Sequence, residues 1–235
     1  MNDELALQMC NLISKDVFGH DLGLSLAAIE QKLTAGIPLP ALMECVRTHV
    51  PVYIYDPQPN QQVISEAAFI EQAKKDDWMM PKREINNIDD FLAAWQAISF
   101  MKGDKTNESQ DVAKSDSVIS SQGIYMSTLI SSSKNILFSH GNYFSNYLLA
   151  CRGNSSCNFS IRIFDSIYCS SSYEVRWSNK VSKCMFINDS LDLYECIACF
   201  DLRSKKYCIA NIQYEKEEYM KIKAMIINWI FAQWQ

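Results

Sequence analysis

Four cysteines crowd the C-terminal part of the chain: Cys184, Cys196, Cys199 and Cys208. The Cys196-x-x-Cys199 spacing can present two thiolates to one zinc ion, but a structural site needs four ligands. Neither a second Cys-x-x-Cys nor a nearby histidine completes the set, so no metal is assigned. Histidine, the usual general base, occurs only at His20, His49 and His140, far apart and beside no evident carboxylate or nucleophile. His140 lies in Phe138-Ser-His-Gly-Asn142 and reads as a solvated turn residue. Walker-type, Gly-x-Gly-x-x-Gly and Gly-x-Ser-x-Gly loops are absent. No catalytic residue and no cofactor is therefore expected. What remains is contact chemistry. Tyr143, Phe144, Tyr147, Tyr168, Tyr173, Trp177 and Phe186 are candidate anchors for a partner. Arg203, Lys205 and Lys206 form a basic cluster that could meet an anion, although a solvated turn is the plainer reading.

Composition narrows the classes. The chain has 235 residues, 48% of them hydrophobic, and a net charge of −5. That much apolar matter supports a core, and the acidic balance disfavours nucleic acid, which needs clustered Lys and Arg. No run approaches the ~18 apolar residues of a membrane span. The acidic start Met1-Asn2-Asp3-Glu4 lacks the basic and apolar parts of a signal peptide. Nine cysteines without an export signal are expected to be reduced thiols inside a cell.

The elements that position the candidates come from a six-residue frame. Counting in sixes from Val112 gives Val118, Ile124, Ile130 and Ile136, then Asn142 and Leu148. Counting in sixes from Ser115 gives Ser121, Ser127, Ser133, Ser139 and Ser145, then Cys151 and Cys157. Beyond Leu148 the two series exchange roles without breaking step. Ile163, Val175, Val181, Ile187 and Leu193 continue the second, while Ser160, Ser172, Ser178, Cys184 and Ser190 continue the first. A helix drifts off such a period and a flat strand alternates every two residues. Short repeats of this kind are the signature of a parallel β-solenoid. Three six-residue sides per coil would make about five rungs, roughly 25 Å tall at the usual strand spacing.

An α-rich N-terminal domain over 1–103 is expected before it. Leu5, Met9, Leu12 and Ile13 mark one helix face; Leu26, Ile29 and Leu33 mark a second, in a helix over about 22–34. Pro51–Tyr55 reads as a strand, Ser65 starts a third helix, and Asn87 precedes a fourth with the stripe Ile88, Phe91, Leu92, Trp95 and Ile98. Residues 102–110 are polar and look like a linker into a solenoid spanning 104–214. A helix over 215–235, with Tyr219, Ile222, Ile226, Trp229 and Ile230 on one face, is expected to fold over the last rung as its cap. The fold class is α+β.

The run from Cys199 to Tyr219, with Leu202-Arg203, Lys205, Tyr207-Cys208-Ile209, Asn211 and Gln213-Tyr214 before a Glu-rich helix, resembles the end of a family. These are uncharacterised Cys/Ser/Asn-rich repeat proteins of large tailed bacteriophages and small-genome bacteria. The resemblance covers about 135–225, not the N-terminal hundred residues, and this chain is poorer in Cys and Asn than many relatives. It implies a solenoid and a phage origin, and no activity. The resulting expectation is a non-catalytic phage structural or virion-associated protein, located in the virion or host cytoplasm. It would dock other phage structural proteins, or itself, through a rigid surface. A phage-encoded inhibitor of a host protein is the second class. A hexapeptide-like acyltransferase is the third, weakened by the three-residue offset and the scarcity of histidine.

Overall fold

The computed structural model describes residues 1–59, 61–75, 78–164, 167 and 169–234. Its centre is a parallel β-solenoid of about eight turns. Each turn takes 12 residues: Gln110 pairs with Gln122, Lys134 with Asn146, Asn146 with Asn158, and Asn158 with Ser170. Two hexads, not three, close one coil. The six-residue frame is therefore kept, while the expected five 18-residue rungs become about eight shorter ones. The stack stands closer to roughly 40 Å than 25 Å.

The backbone gives the reason. From Glu108 to Ala210, every described residue at a multiple of three has positive φ, between 45° and 60° where it is not glycine. A left-handed residue breaks an extended run and turns it by a corner. With a corner every third residue, the chain describes four short sides and closes after 12. The residue after each corner points inward and the residue before it points outward. Val, Ile, Thr and Pro never occupy a corner position in this stretch. β-Branched side chains fit the left-handed region worst and proline cannot enter it, so this exclusion is what the geometry demands.

Four inward columns fill the interior. In the early turns, one opposite pair of inward positions holds aliphatics, as in Ile124 with Ile130, and the other pair holds Ser121 with Ser127; all four are buried. In the late turns the bulky diagonal rotates, with Val175 and Val181 buried opposite each other and Ser172 and Ser178 between them. Asn142 and Asn154 sit inside the turns where this happens, and the Asn154 N–H donates to Asn142 Oδ1 at 3.3 Å. The exchange seen in the sequence is this quarter-rotation.

Serine makes the small columns workable. Each inward hydroxyl donates to the carbonyl two residues earlier: Ser121 to Ile119, Ser127 to Tyr125, Ser133 to Ser131 and Ser139 to Leu137, at 2.7–2.8 Å. The same oxygen accepts the N–H of the residue one turn later. Ser127 N–H donates to Ser115 Oγ at 3.0 Å, Ser139 N–H to Ser127 Oγ at 3.0 Å, and Cys151 N–H to Ser139 Oγ at 3.1 Å. One interior N–H per corner is thereby satisfied without water, and a carbonyl that already accepts a ladder N–H gains a second donor.

The described residues include five helices, of which three pack on this stack. α1 (Asp3–Phe18) and α5 (Lys216–Trp234) lie along one flank, against an outward column in which Tyr125, Leu137, Leu149, Ile161, Tyr173, Met185, Ile197 and Ile209 recur every 12 residues. Phe18 meets Tyr173 at 5.1 Å and Trp234 at 5.7 Å between ring centroids. α2 (Leu26–Leu33) and the chain after it are tied to the next side, where Arg162 donates to the Lys32 carbonyl and Thr128 to that of Pro38. At the start of the flank, the Lys114 ammonium and the Tyr125 hydroxyl both meet the Asp3 carboxylate at 2.9 Å.

Residues 41–103 carry a separate small core of Cys45, Val52, Ile54, Val63 and Ile64. Antiparallel β1 (Ala41–Glu44) and β2 (Pro51–Ile54) are followed by β3 (Gln62–Ser65), α3 (Glu66–Lys75), α4 (Ile88–Gln96) and β4 (Phe100–Gly103), which pairs in parallel with β3. β4 runs directly into the first turn, so the expected linker at 102–110 is strand and solenoid. A Cβ at Gly103 would lie 2.5 Å from Val52 Cγ1 and 2.7 Å from the Tyr53 carbonyl. Only glycine fits this crossing. Buried Asp116 then locks the junction by accepting N–H donors from Tyr55 at 2.9 Å and Lys105 at 3.0 Å.

Several expected faces differ. Leu5 and Leu12 are exposed; Ile13 is buried as expected, and α1 adds Ala6, Cys10, Val17 and Phe18 to its buried face. Trp229 is exposed while Ile227 and Trp234 are buried, because α5 packs along the flank and not across the last rung. The C-terminal edge is closed by a hairpin of Cys208–Ile209 with Ile212–Gln213. There the Asn211 amide accepts the Phe200 N–H at 3.0 Å and donates to the Phe200 carbonyl at 2.9 Å, taking the place of one more strand.

Two outcomes test this architecture. Val181→Asp or Ile163→Asp puts a charge among fully buried columns and should destabilise the solenoid by several kcal/mol, whereas Lys180→Asp, at an exposed corner, should leave the urea midpoint almost unchanged. Equal effects would contradict the inward assignment. Ser127→Ala orphans the buried Ser139 N–H, while the Tyr125 carbonyl keeps the Phe138 N–H, and should cost about 1–3 kcal/mol. Ser127→Cys should recover part of that, since Cys151 already serves further up the same column; an alanine variant as stable as the parent would refute the role.

Candidate interaction surface

Half a turn from the helix-covered column runs another outward one: Ile119, Ser131, Tyr143, Ser155, Ile167, Asn179, Leu191 and Arg203. Among the described residues no helix packs on it in the apolar core, and its large members stay exposed, Ile119 by 49%, Tyr143 by 47%, Ile167 by 44% and Leu191 by 42%. Large and small residues alternate, so the bulky ones recur every second turn, at roughly 9.6 Å. Corner residues flank this ladder. Phe144 is 67% exposed and Trp177 is 66% exposed. Phe200, on the neighbouring outward column, is 58% exposed. Each of these side chains starts from a backbone held on both sides by the stack, so it presents apolar area at small entropic cost.

The candidate anchors divide. Tyr143, Phe144 and Trp177 fall on or beside this ladder. Tyr147 is half-buried on the helix-covered side and stacks on Phe159 at 4.4 Å with a 7° interplanar angle. Tyr173 is buried beneath α1 and α5, because its position belongs to the covered column; it is not an outward anchor. Phe186 packs beside it at 5.3 Å. Tyr168 lies outside the described residues. Arg203, Lys205 and Lys206 are exposed on the last parallel strand, Arg203–Lys206. Lys205 continues an inward column that reads Val181 and Leu193 below it, and its charge ends that column at the open side of the stack.

Ile119, Ile167, Leu191, Tyr194 and Phe200 were not among the sequence-derived anchors. The signal that finds them is the period of 12: only that count separates an outward column under helices from one half a turn away.

The cysteines serve the interior. All nine are buried and none forms a disulfide. Those on the inward columns repeat the serine bond more weakly, with Cys151 Sγ 3.4 Å from the Leu149 carbonyl, Cys196 Sγ 3.6 Å from Tyr194 and Cys199 Sγ 3.3 Å from Ile197. Burial pushes the Cys10 and Cys151 thiols up to about 12. The neighbouring Cys184 thiol, aided by burial, takes Cys196 to about 12 as well. Cys45 goes the other way. Burial raises it, but hydrogen bonds from the Thr48 side chain and from the Ser65, Arg47 and Thr48 backbone outweigh that and bring it down to about 7. Among the described residues, no group of three or more His, Cys, Asp and Glu is placed to hold a metal ion.

His140 is no free turn residue. Its Nδ1 lies 2.8 Å from Thr128 Oγ1, and its ring centroid is 5.0 Å from that of Tyr55. Burial, with the nearby Arg152 charge, pushes its pKa below the ordinary value. It acts as a strut between the β1–β2 unit and the solenoid. His49 meets Glu44 at 2.6 Å on the surface, and His20 lies at the end of α1, so the three histidines form no common site. Among the described residues no helix is long and apolar enough to cross a membrane. Comparison with protein-family models, curated proteins and solved structures finds no match.

Iodoacetamide applied to the folded protein near pH 7.5 should modify Cys45 first, on local opening of the small 41–103 core, and leave Cys10 and the seven solenoid cysteines unlabelled until global unfolding. Metal analysis should find no stoichiometric zinc. Early labelling of Cys196 or Cys199, or one zinc per chain lost on Cys196→Ser, would contradict the packing role.

Proposed function

We propose that the protein is a non-catalytic docking protein that uses the exposed solenoid flank as its binding face, and that it works within a phage particle. One observation carries the docking role. One outward column is wholly buried under two helices, while the column half a turn away keeps Ile119, Tyr143, Ile167 and Leu191 open to solvent with Phe144 and Trp177 beside them. Contiguous apolar area on a rigid surface is characteristic of a site for another protein. The phage setting rests on the resemblance of Cys199–Tyr219 to the phage repeat family and on nothing else. The partner is accordingly another structural protein of the particle.

Gradient-purified virions provide the test. Mass spectrometry should find this chain at several copies per particle, in fixed ratio to a known head or tail protein. Tyr143→Ala combined with Trp177→Ala should strip it from the particle while changing stability by no more than about 0.5 kcal/mol, as expected of exposed side chains. Abundant protein in infected cells with none in particles would overturn the virion assignment and favour binding to a host protein. Full incorporation of the double variant would overturn the flank as the docking face.

A further inference from the structure

α4 sits in the structure with its poorer face inward. Ile88, Phe91, Leu92, Trp95 and Ile98 recur at helical spacing and are 65%, 47%, 45%, 57% and 52% exposed. The opposite side, which touches the protein, offers only Asp90, Ala94 and Ala97, all half-buried, and no residue of the helix is fully buried. The start is well made: Asn87 caps it by accepting the Asp90 N–H at 2.9 Å, and Asp89 and Asp90 occupy the first turn. Nine residues are nevertheless too few for a helix to hold its shape in water without packing, and an amphipathic helix of this kind normally buries its apolar face.

We infer that a second copy of this chain covers the face, in a two-fold pair of antiparallel α4 helices whose axis passes near Leu92. Three features select a second copy. The face is uncharged, since Asp89 and Asp90 project from its sides and rear at helical spacing, so a self-complementary pairing opposes no like charges across its centre. Its size approaches that of a dimer: the five side chains expose an apolar area on the order of 500 Å², and Met79, Met80 and Ile85 of the segment leading into α4 are 90%, 50% and 52% exposed as well, against about 800 Å² per partner in a standard stable interface. The surface also has relief. A groove of about 470 Å³ between Leu92, Trp95 and Gln96 on one side and Gln58, Pro59 and Gln61 on the other can accept an aromatic ring from the facing helix. Phe91, stacked on Trp95 at 6.3 Å and outside the groove's lining, is placed to be that ring. This surface belongs to the 41–103 unit and is independent of the solenoid flank proposed for docking.

Sedimentation velocity on the full chain tests it. The parent protein should form a dimer in the micromolar range. Trp95→Glu should raise the dimer dissociation constant by about 30-fold or more, as for an aromatic hot spot, while the far-UV circular dichroism stays that of the parent, since the residue is exposed in the monomer. Leu92→Cys, in a background where every native cysteine is buried, should yield a disulfide-linked dimer on mild oxidation. A parent chain that stays monomeric throughout that range, a dimer indifferent to Trp95→Glu, or a failure of Leu92→Cys to cross-link would each overturn the pairing.

Discussion

A left-handed residue at every third position is the constraint on which the rest of this structure depends. For an ordinary L-residue that conformation is unfavourable by about 1–2 kcal/mol, and it is normally visited singly. Here it recurs through about eight turns. It persists because each corner is held between identical corners above and below, by a parallel ladder and by an inward hydroxyl that takes one N–H and caps one carbonyl. Serine suits this better than alanine, which leaves the N–H empty, and better than threonine, whose extra methyl would crowd a narrow interior. Cysteine keeps the volume and a weaker form of the bond, which explains why it replaces serine further up the same columns.

Four inward positions per turn also set how bulk is distributed. If all four were aliphatic the core would be overpacked, and if all were serine it would bury almost no apolar area. A bulky diagonal crossed by a small one solves both problems, and either diagonal serves. The chain uses one choice up to Ile136 and the other from Ile163 on, with Asn142, Leu148, Cys151, Asn154 and Cys157 between. The asparagines bridge turns in which neither diagonal is wholly bulky, and Asn154 donates to the Ile163 carbonyl at 3.1 Å as the new diagonal begins.

Much of this was legible in the sequence, and what was missed has identifiable causes. The solenoid and its inward residues follow from the six-residue frame, because burial imposes period on residue type directly. The number of sides does not follow, since a frame of six is compatible with turns of 12 or 18. Two further signals decide it. One is the row from Tyr125 through Leu137, Leu149, Ile161, Tyr173 and Met185 to Ile197, which repeats every 12 residues and not every 18. The other is the exclusion of Val, Ile, Thr and Pro from the corner positions, which marks a left-handed residue every third place. The covering role of α5 was less accessible. A helix with apolar residues around much of its circumference can close an end or line a flank, and only the apolar row on the solenoid distinguishes them. Tyr173 shows the same limit: an aromatic residue off the inward frame faces outward from the coil, yet outward from the coil is not outward from the protein.

The division of labour among positions locates where function can vary. Inward and corner residues are fixed by packing and by φ, which leaves one residue in three free to face outward. Of the four outward columns, one is committed to α1 and α5, and another is partly tied to the chain after α2 through Thr128, His140 and Arg152. The column of Ile119, Tyr143, Ile167 and Leu191 carries no comparable obligation, so its large apolar residues gain nothing from the fold that contains them. Their alternation with Ser131, Ser155 and Asn179 is equally unforced, since the covered column shows that eight successive turns accept an apolar residue at every level. A ridge at every second turn with a recess between is a relief that a complementary surface can fill, and its spacing is set by the backbone ladder. The stack therefore fixes the pitch of the surface, while the choice of side chain on each ridge remains open to whatever binds there.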